Sequence, residues 1–258
     1  MIATVLAADP TNVLQWLGDS SERMGSGPIP EQAWITIWHS LAATVIAIVL
    51  AVPLAVWLAH YRKAELLSAW IVNIGRVIPT VTIVAVAVLV SLRNGFGFEP
   101  WPILIALVAM ALPPIFSNTY TAVRGVDENV VSAARAIGTT ERSIMTSIEL
   151  PLASVVILTG IRVAAVQVVA TEVIGAFFGG EGLGAYIRQG LGNRDDYEVQ
   201  AGALLITGVA MSLDLCLFLL SKLAIPSGVG TVKRSVRNRT EPEQQPSGSA
   251  GATGTVAG

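Results

Sequence analysis

Few side chains in this sequence are of types that can do chemistry. Of its 258 residues, two are histidine (His39 and His60), one is cysteine (Cys216), and 13% are charged. Neither histidine has a convincing serine or aspartate partner pattern, and two histidines so placed make a weak metal site. A single cysteine excludes an internal disulfide and a zinc cluster built on cysteines. The sequence therefore predicts no catalytic residue and no metal ligand.

The rest of the composition predicts a membrane protein. Hydrophobic residues make up 53% of the chain, and the mean hydropathy is +0.64. A soluble domain carries about 25% charged residues, so this chain has too few charges to cover a water-facing surface. Its net charge of −2 gives no indication of a nucleic-acid partner.

Five apolar stretches approach the length of about 20 residues that a bilayer-spanning helix needs. They run over residues 34–59, 66–92, 101–120, 150–171 and 199–220. The second contains Arg76 and Pro79, so we expect a kinked helix there, or an interfacial piece that leads into a shorter helix. Arg76 is expected to extend to the cytoplasmic interface. The predicted fold class is an all-α, polytopic membrane helix bundle of about five spanning helices.

The basic residues predict the orientation of the chain. With the N-terminus outside, ten Lys and Arg residues lie on inner segments and four on outer segments, a bias that is typical of the cytoplasmic side. Residues 1–33 lack a signal-peptide pattern and are expected to form an extracytoplasmic arm with a surface helix around residues 11–17. Residues 34–225 would form the membrane domain, and the polar residues 226–258 a disordered cytoplasmic tail.

The most informative segment is residues 124–151, which lie between the third and fourth predicted spans. Asp127 can cap a helix that runs to Ile137. Gly138 suits the next position, where a left-handed backbone costs a glycine little. A bend at this glycine is therefore expected.

A second short helix is expected after the bend. Thr139 or Thr140 can cap it, Ile148 would end it, and Pro151 marks the start of the fourth span. On helix physics alone, two interpretations are open. The pair of helices either offers a surface to a partner or is an amphipathic connector that rests against the protein's own spans.

The spacing in this segment resembles the cytoplasmic signature loop of bacterial ABC-importer permeases. That signature reads Glu-Ala-Ala, three residues, Gly, nine residues, then Ile-x-Leu-Pro. The matching positions here are Ala133, Ala134, Gly138, Ile148, Leu150 and Pro151. Ser132 stands where the family usually has glutamate, so this chain lacks any ion pair that the glutamate would make with a partner. The helix–turn–helix shape does not depend on that residue.

The resemblance extends over about residues 34–223, to permeases of the glycine betaine, carnitine and choline uptake group. The similar pieces are IPTVTI (residues 78–83), SNTYTAVRGVD (117–127), GIRVAAVQ (160–167) and GGEGLG (179–184). Permeases for methionine or other amino acids share the loop but match these flanks less well. An amino-acid importer is therefore the alternative within transport, and an intramembrane enzyme is the alternative from another class.

The resemblance implies a type-1 ABC importer permease fold with cytoplasmic coupling helices, in a multi-pass subunit of the cell membrane that is not an enzyme. A cytoplasmic ABC ATPase dimer would bind the ATP, so the chain itself would hold no cofactor; it also lacks a G-x-x-x-x-G-K-[ST] phosphate loop. An extracytoplasmic binding protein would deliver the solute. A second copy or a homologous permease would complete the pathway within the lipid. The residues that would couple to the ATPase are Ser132, Ala133, Ala134, Gly138, Ile148, Leu150 and Pro151.

Four polar side chains in the apolar stretches are candidates for an intramembrane pair or for the translocation pathway: Arg162, Gln167, Glu172 and Asp214. A charge near the bilayer centre costs about 2.5–3.5 kcal/mol, so Arg162 is expected to face the bundle. It either pairs structurally with Asp214 or Glu172, or takes part in translocation. Gln167 and Glu172 either line the cavity or lead into the next loop.

That next loop, residues 175–192, carries seven glycines and is expected to be either a re-entrant, gate-like segment or a flexible extracytoplasmic loop. The outer acidic residues Asp195, Asp196 and Glu198 would form either a solvated cluster or a docking point for the binding protein. Five tryptophans lie near span ends, as an interfacial belt requires: Trp34, Trp38, Trp57, Trp70 and Trp101. No aromatic cage for a quaternary ammonium group can be assigned.

Overall fold

A computed structural model describes Trp16, Gly18 and residues 27–62, 79–98 and 100–224. Across these residues the ordered elements are all helical, which confirms the all-α prediction. They are α1 (Ile29–His60), α2 (Thr80–Arg93), α3 (Trp101–Arg124), α4 (Glu128–Ala136), α5 (Glu141–Ile144), a π-helical segment (Met145–Glu149), α6 (Leu150–Phe177), α7 (Gly184–Asn193) and α8 (Asp196–Ala224). The chain divides into a unit of residues 1–225 and a unit of residues 226–258, and the second unit lies outside the described residues.

Within the described ranges, four helices are long and apolar enough to cross a bilayer: Ile29–His60, Trp101–Arg124, Glu141–Phe177 and Asp196–Lys222. The predicted number of about five is close to this result. Helix α2 occupies the second half of the remaining predicted span, and its 14 residues follow Pro79 directly. The first half of that span, with Arg76 and Trp70, lies outside the described residues.

Small residues determine how closely α1 and α3 pack. Ala43, Ala47, Ala51 and Ala55 repeat every four residues along α1, and each is at most 2% exposed. They pack against large side chains of α3, among them Leu107. Alanine at every fourth position lets two backbones approach closely, which favours helix association in a membrane. The opposite face of α1 is apolar and exposed, as a lipid-facing surface should be.

Helix α6 lies in close contact with α3 at Gly160. A Cβ atom built on Gly160 would lie 2.4 Å from the Cβ atom of Asn118 on α3. The Asn118 amide donates to the Pro114 carbonyl at 2.8 Å, which fixes the asparagine side chain against its own helix. The crossing of α3 and α6 therefore depends on a residue without a side chain.

The glycine-rich segment is mostly helical, so the predictions of a flexible loop and of non-helical backbone over residues 175–192 are wrong; a re-entrant or gate-like role stays a prediction. Helix α6 continues to Phe177, and α7 occupies Gly184–Asn193. A Cβ atom at Gly184 would lie 2.8 Å from the Val173 Cα atom, and one at Gly190 would lie 2.8 Å from the Val199 backbone nitrogen. These glycines therefore serve close packing of α7 on α6 and α8.

Trp16 and Gly27, which precede the first span, contact α7. The Trp16 ring is 2% exposed and meets the Tyr186 ring edge-on, with 5.7 Å between centroids. The Tyr186 hydroxyl donates to the Gly27 carbonyl at 2.8 Å. Helix α1 begins at Ile29, five residues before the predicted span, because Pro30 suits a first helical turn. Most of the predicted surface helix at residues 11–17 lies outside the described residues.

Candidate coupling loop and buried polar clusters

The turn chemistry of residues 124–151 is largely as the sequence predicts. Asp127 Oδ1 accepts a hydrogen bond from the Asn129 backbone nitrogen at 2.8 Å and caps α4. The chain then turns at Gly138, whose φ of +83° is in the left-handed region. Thr140 caps the next helix, since its Oγ1 accepts from the Ser143 backbone nitrogen at 3.4 Å.

The predicted end of the second helix at Ile148 is wrong. Helix α5 continues through the π-helical segment Met145–Glu149 directly into α6. Pro151 removes one backbone donor, and its ring crowds the carbonyl four residues earlier. A π-helical turn adds one residue at this point and so relieves the conflict without breaking the helix. The loop is therefore joined to α6 by continuous helix.

One face of the loop packs inward, and the other is free. Val131, Ala134 and Ile144 form a small apolar cluster in which each side chain is at most 7% exposed. Five of the exposed positions lie around the Gly138 turn, and we call them the loop tip: Ser132, Ala133, Ala136, Ile137 and Gly138. Ile137 is 84% exposed. The loop tip therefore presents one large apolar side chain beside small residues at its surface.

Ion pairs connect the parts of the loop. Arg135 on α4 donates to both carboxylate oxygens of Glu141, at 2.8 and 3.0 Å, across the Gly138 turn. The hydrogen bond with Glu141 raises the pKa of the Arg135 guanidinium above its ordinary value. His60 Nδ1 lies 2.6 Å from Glu149 Oε2, and its Nε2 lies 3.0 Å from Glu141 Oε2 without hydrogen-bond alignment.

These contacts of His60 were not predicted, because the sequence offers no serine or aspartate partner pattern for it, whereas the carboxylates come from Glu141 and Glu149. Glu149 lies 89 residues away along the chain. The charge bias does place the end of the first span and residues 121–149 on the same side of the membrane. That placement is the one sequence signal that could have brought them together.

Of the four intramembrane candidates, the structure brings two together. Arg162 Nη2 lies 2.8 Å from each Asp214 carboxylate oxygen, and Nε lies 3.0 Å from Oδ1. The guanidinium carbon also lies 4.9 Å from the centroid of the Phe218 ring. Asp214 rather than Glu172 is therefore the partner of Arg162. Gln167 is exposed on α6 and is not part of the Arg162–Asp214 pair.

A double-mutant cycle tests this pair. We expect Arg162→Gln and Asp214→Asn each to lower the thermal midpoint of the purified protein by about 4–8 °C, because each leaves one charge unpaired. The two side chains are 27% and 39% exposed, so we expect a smaller decrease in the midpoint than for breaking a fully buried ion pair. The double variant should be more stable than either single variant. If the midpoint of the double variant fell by at least the sum of the two single decreases, the pairing would be contradicted.

Uptake by the double variant separates the two roles left open for Arg162. A stable double variant that still transports has lost only a structural pair. A stable double variant without transport places the pair in the translocation pathway.

Glu172 belongs to a second buried cluster, where α1 meets the turn after α6. Its side chain is 1% exposed, and Oε2 accepts from Thr36 Oγ1 at 3.1 Å. His39 Nδ1 lies 3.6 Å from the other carboxylate oxygen, beyond hydrogen-bond reach. Thr36 Oγ1 also accepts from the Leu183 backbone nitrogen at 2.9 Å. A Cβ atom at Gly182 would lie 2.5 Å from Glu172 Oε1, so this turn requires glycine.

The outer acidic residues do not form one solvated cluster. Asp195 Oδ1 accepts from the backbone nitrogens of Tyr197 and Glu198, at 3.0 and 3.2 Å, at the start of α8. Glu198 is 3% exposed, so only Asp196 has a freely exposed carboxylate. The described tryptophans of the predicted belt all point outward and are more than half exposed: Trp34, Trp38, Trp57 and Trp101.

Known proteins resemble the chain in sequence and in fold. A sequence model of the family described as "binding-protein-dependent transport system inner membrane component" matches residues 43–227. The choline transport system permease protein OpuBB of Bacillus subtilis (strain 168) is 32% identical over 194 residues, which cover 75% of this chain and 87% of that protein. The carnitine transport permease protein OpuCB of Listeria monocytogenes is 30% identical over 72% of this chain and 83% of that protein.

A solved structure agrees with the fold. The inward-facing MetNI methionine ABC transporter superposes with a TM-score of 0.70 at 19% identity, over 81% of this chain and 100% of that chain. Identity this low shows only the type-1 permease fold. The family match covers most of the chain, and four described helices can cross a bilayer. The chain is therefore a multi-pass membrane protein that belongs to the family of binding-protein-dependent transport system inner membrane components, the permease subunits of ABC importers.

Proposed function

We propose that this chain is the membrane-spanning permease of an ATP-driven importer for osmoprotectants such as glycine betaine, choline or carnitine. The observation that carries the transport role is the loop tip, an exposed surface that only two residues separate from the continuous helix Glu141–Phe177. The relatives named for choline and carnitine transport support the solute class, since they match about three quarters of the chain. The likeness to a methionine transporter extends to the fold alone.

In this proposal the loop tip docks into a groove of a cytoplasmic ATPase dimer, which binds and hydrolyses the ATP. Closure of the dimer displaces the tip, and the π-helical segment passes the displacement into α6. Packed helices that have two stable arrangements convert such small displacements into a switch between inward and outward access. A solute-binding protein delivers the solute on the other side, and a second permease copy or a homologous permease completes the pathway.

The proposed orientation places the N-terminus outside and the loop in the cytoplasm. Arg62, Arg124 and Arg135 line one small cavity beside His60, at the same end of the bundle as the loop tip. Arg62 Nη2 lies 2.8 Å from Glu128 Oε2 of α4. A concentration of arginine at one end of a helix bundle is typical of the cytoplasmic side.

Uptake measurements test the proposed function. A strain that lacks the chain, and the same strain with the chain restored, would be given radiolabelled glycine betaine, choline, carnitine and methionine at low and high osmolarity. We expect the chain to restore uptake of at least one of the three quaternary ammonium solutes. A strain that also lacks the ATPase is the control, because that uptake should then disappear. Restored uptake of methionine alone would favour an amino-acid importer and contradict the proposal.

A further inference from the structure

The loop is fastened to the end of α1 as well as to α6. His60 is the last residue of α1, and its side chain is 1% exposed. Its ring touches the π-helical segment through Glu149 and the start of α5 through Glu141. Glu149 comes one residue before α6 begins, so the histidine touches the joint between loop and spanning helix.

The contact with Glu149 is buried, which makes it energetically significant. The Glu149 side chain is 6% exposed, and a carboxylate at such a site is destabilising unless it is paired. The 2.6 Å contact from His60 Nδ1 provides that pairing. Separating α1 from the joint would therefore leave a buried carboxylate without its partner.

Glu141 extends the connection to the loop tip. Its carboxylate accepts from Nε and Nη2 of Arg135 on α4, and its Oε2 also lies 3.0 Å from His60 Nε2. Arg62, just beyond α1 at a φ of +50°, pairs with Glu128 at the start of α4. This second pair is about half exposed and contributes little stability. It does connect the first residue of α4 to the turn that follows α1.

Apolar packing makes the same connection from the other side. Val56 and Ala59, in the last two turns of α1, share a buried cluster with Ala153 and Ile157 in the first turns of α6. A displacement of the loop must therefore move the end of α1 together with α6, or break this packing and the His60–Glu149 contact.

We infer that His60 is a positioning residue of the transport cycle, which makes α1 a second helix that the loop moves. Through Glu149 and Glu141 it holds the tip, the joint and the end of α1 as one body, so that ATPase closure displaces α1 and α6 together. This inference rests on the proposed function. It goes beyond it, because the displacement would otherwise enter the bundle through α6 alone.

The test uses the complex of permease and ATPase, purified through a tag on the permease and reconstituted in liposomes. ATP hydrolysis is measured alone and with the binding protein plus glycine betaine, choline or carnitine, and the result is the ratio of stimulated to unstimulated rates. His60→Leu alone removes the 2.6 Å contact to the buried Glu149 but leaves its carboxyl group in place, so the informative variant is His60→Leu with Glu149→Leu, which removes both polar groups. His60→Asn is the conservative control, because its amide can still donate to Glu149.

We expect the double variant to retain bound ATPase. Its stimulation ratio should fall about tenfold, which lies within the range typical of coupling between two sites. His60→Asn should retain most of the stimulation. Stimulation of the double variant equal to that of the wild type would overturn the inference, and so would loss of the bound ATPase, since the pair would then only shape the docking surface. Failure of the ATPase to co-purify with the wild-type chain would instead contradict the proposed function.

Discussion

Arginine in place of Ala133 is expected to abolish solute uptake while the permease still accumulates in the membrane. Ala133 lies on the exposed face of α4 beside Ile137. A long charged side chain here would be buried unpaired in the ATPase groove, at a cost of several kcal/mol. We expect uptake to fall by about 100-fold or more, which corresponds to about 3 kcal/mol. Co-purification should show that the ATPase no longer binds.

Ala133→Ser is the matched control for this variant, because it changes the same position and stays small. It should transport at the wild-type level. Arginine at the neighbouring Ala134 would not be a clean probe, since Ala134 is 7% exposed and packs against Ile144 inside the loop. An Ala133→Arg permease that keeps both its ATPase and its uptake would show that the loop tip is not the docking surface.

Alanine in place of Gly160 is expected to be among the most destabilising single-methyl changes in the chain. The added Cβ atom would lie 2.4 Å from the Cβ atom of Asn118, far inside ordinary contact distance. Because Asn118 Cβ is attached to the backbone of α3, the two helices would have to separate. Overpacking of this kind costs about 1–3 kcal/mol, and we expect the thermal midpoint of the purified protein to fall by about 2–12 °C.

Gly208→Ala provides the comparison. Gly208 is also a helical glycine in a spanning helix, but a Cβ atom built on it meets no other atom within 4 Å. The midpoint of this variant should stay within about 2 °C of the wild type, since exposed substitutions of this kind cost at most about 0.5 kcal/mol. Equal midpoints for the two variants would show that α3 and α6 are not in close contact at Gly160.

The features predicted well from the sequence have local causes. Asp127 and Thr140 cap helices through side-chain atoms two and three residues from the nitrogens that they accept from. The spanning helices follow from apolar runs whose length matches the bilayer. Their ends shifted by a few residues because caps and prolines, rather than hydropathy, determine where a helix stops.

The features that were missed depend on how helices rotate and pack. Arg162 had two candidate partners, and the choice of Asp214 needs the rotation of α6 relative to α8, which one sequence does not contain. Glycine is ambiguous for the same reason. Gly138 serves a left-handed turn, whereas Gly184 and Gly190 serve close contact between helices. Pro151 predicts a helix end, and only the π-helical segment before it shows that the helix continues.

The continuous helix from Glu141 to Phe177 has a consequence for reach and leverage. Its 37 residues span about 55 Å at 1.5 Å per residue, whereas a bilayer with its head groups measures about 40–45 Å. An upright helix of this length, with its far end at one surface of such a bilayer, would extend about 10 Å beyond the opposite surface. A tilt of about 10° around the midpoint of this rod moves the projecting end by about 5 Å, close to one helical turn. A small tilt of this helix within the bilayer therefore corresponds to a displacement of the loop end of about one helical turn, which conformational changes of an ATPase could drive.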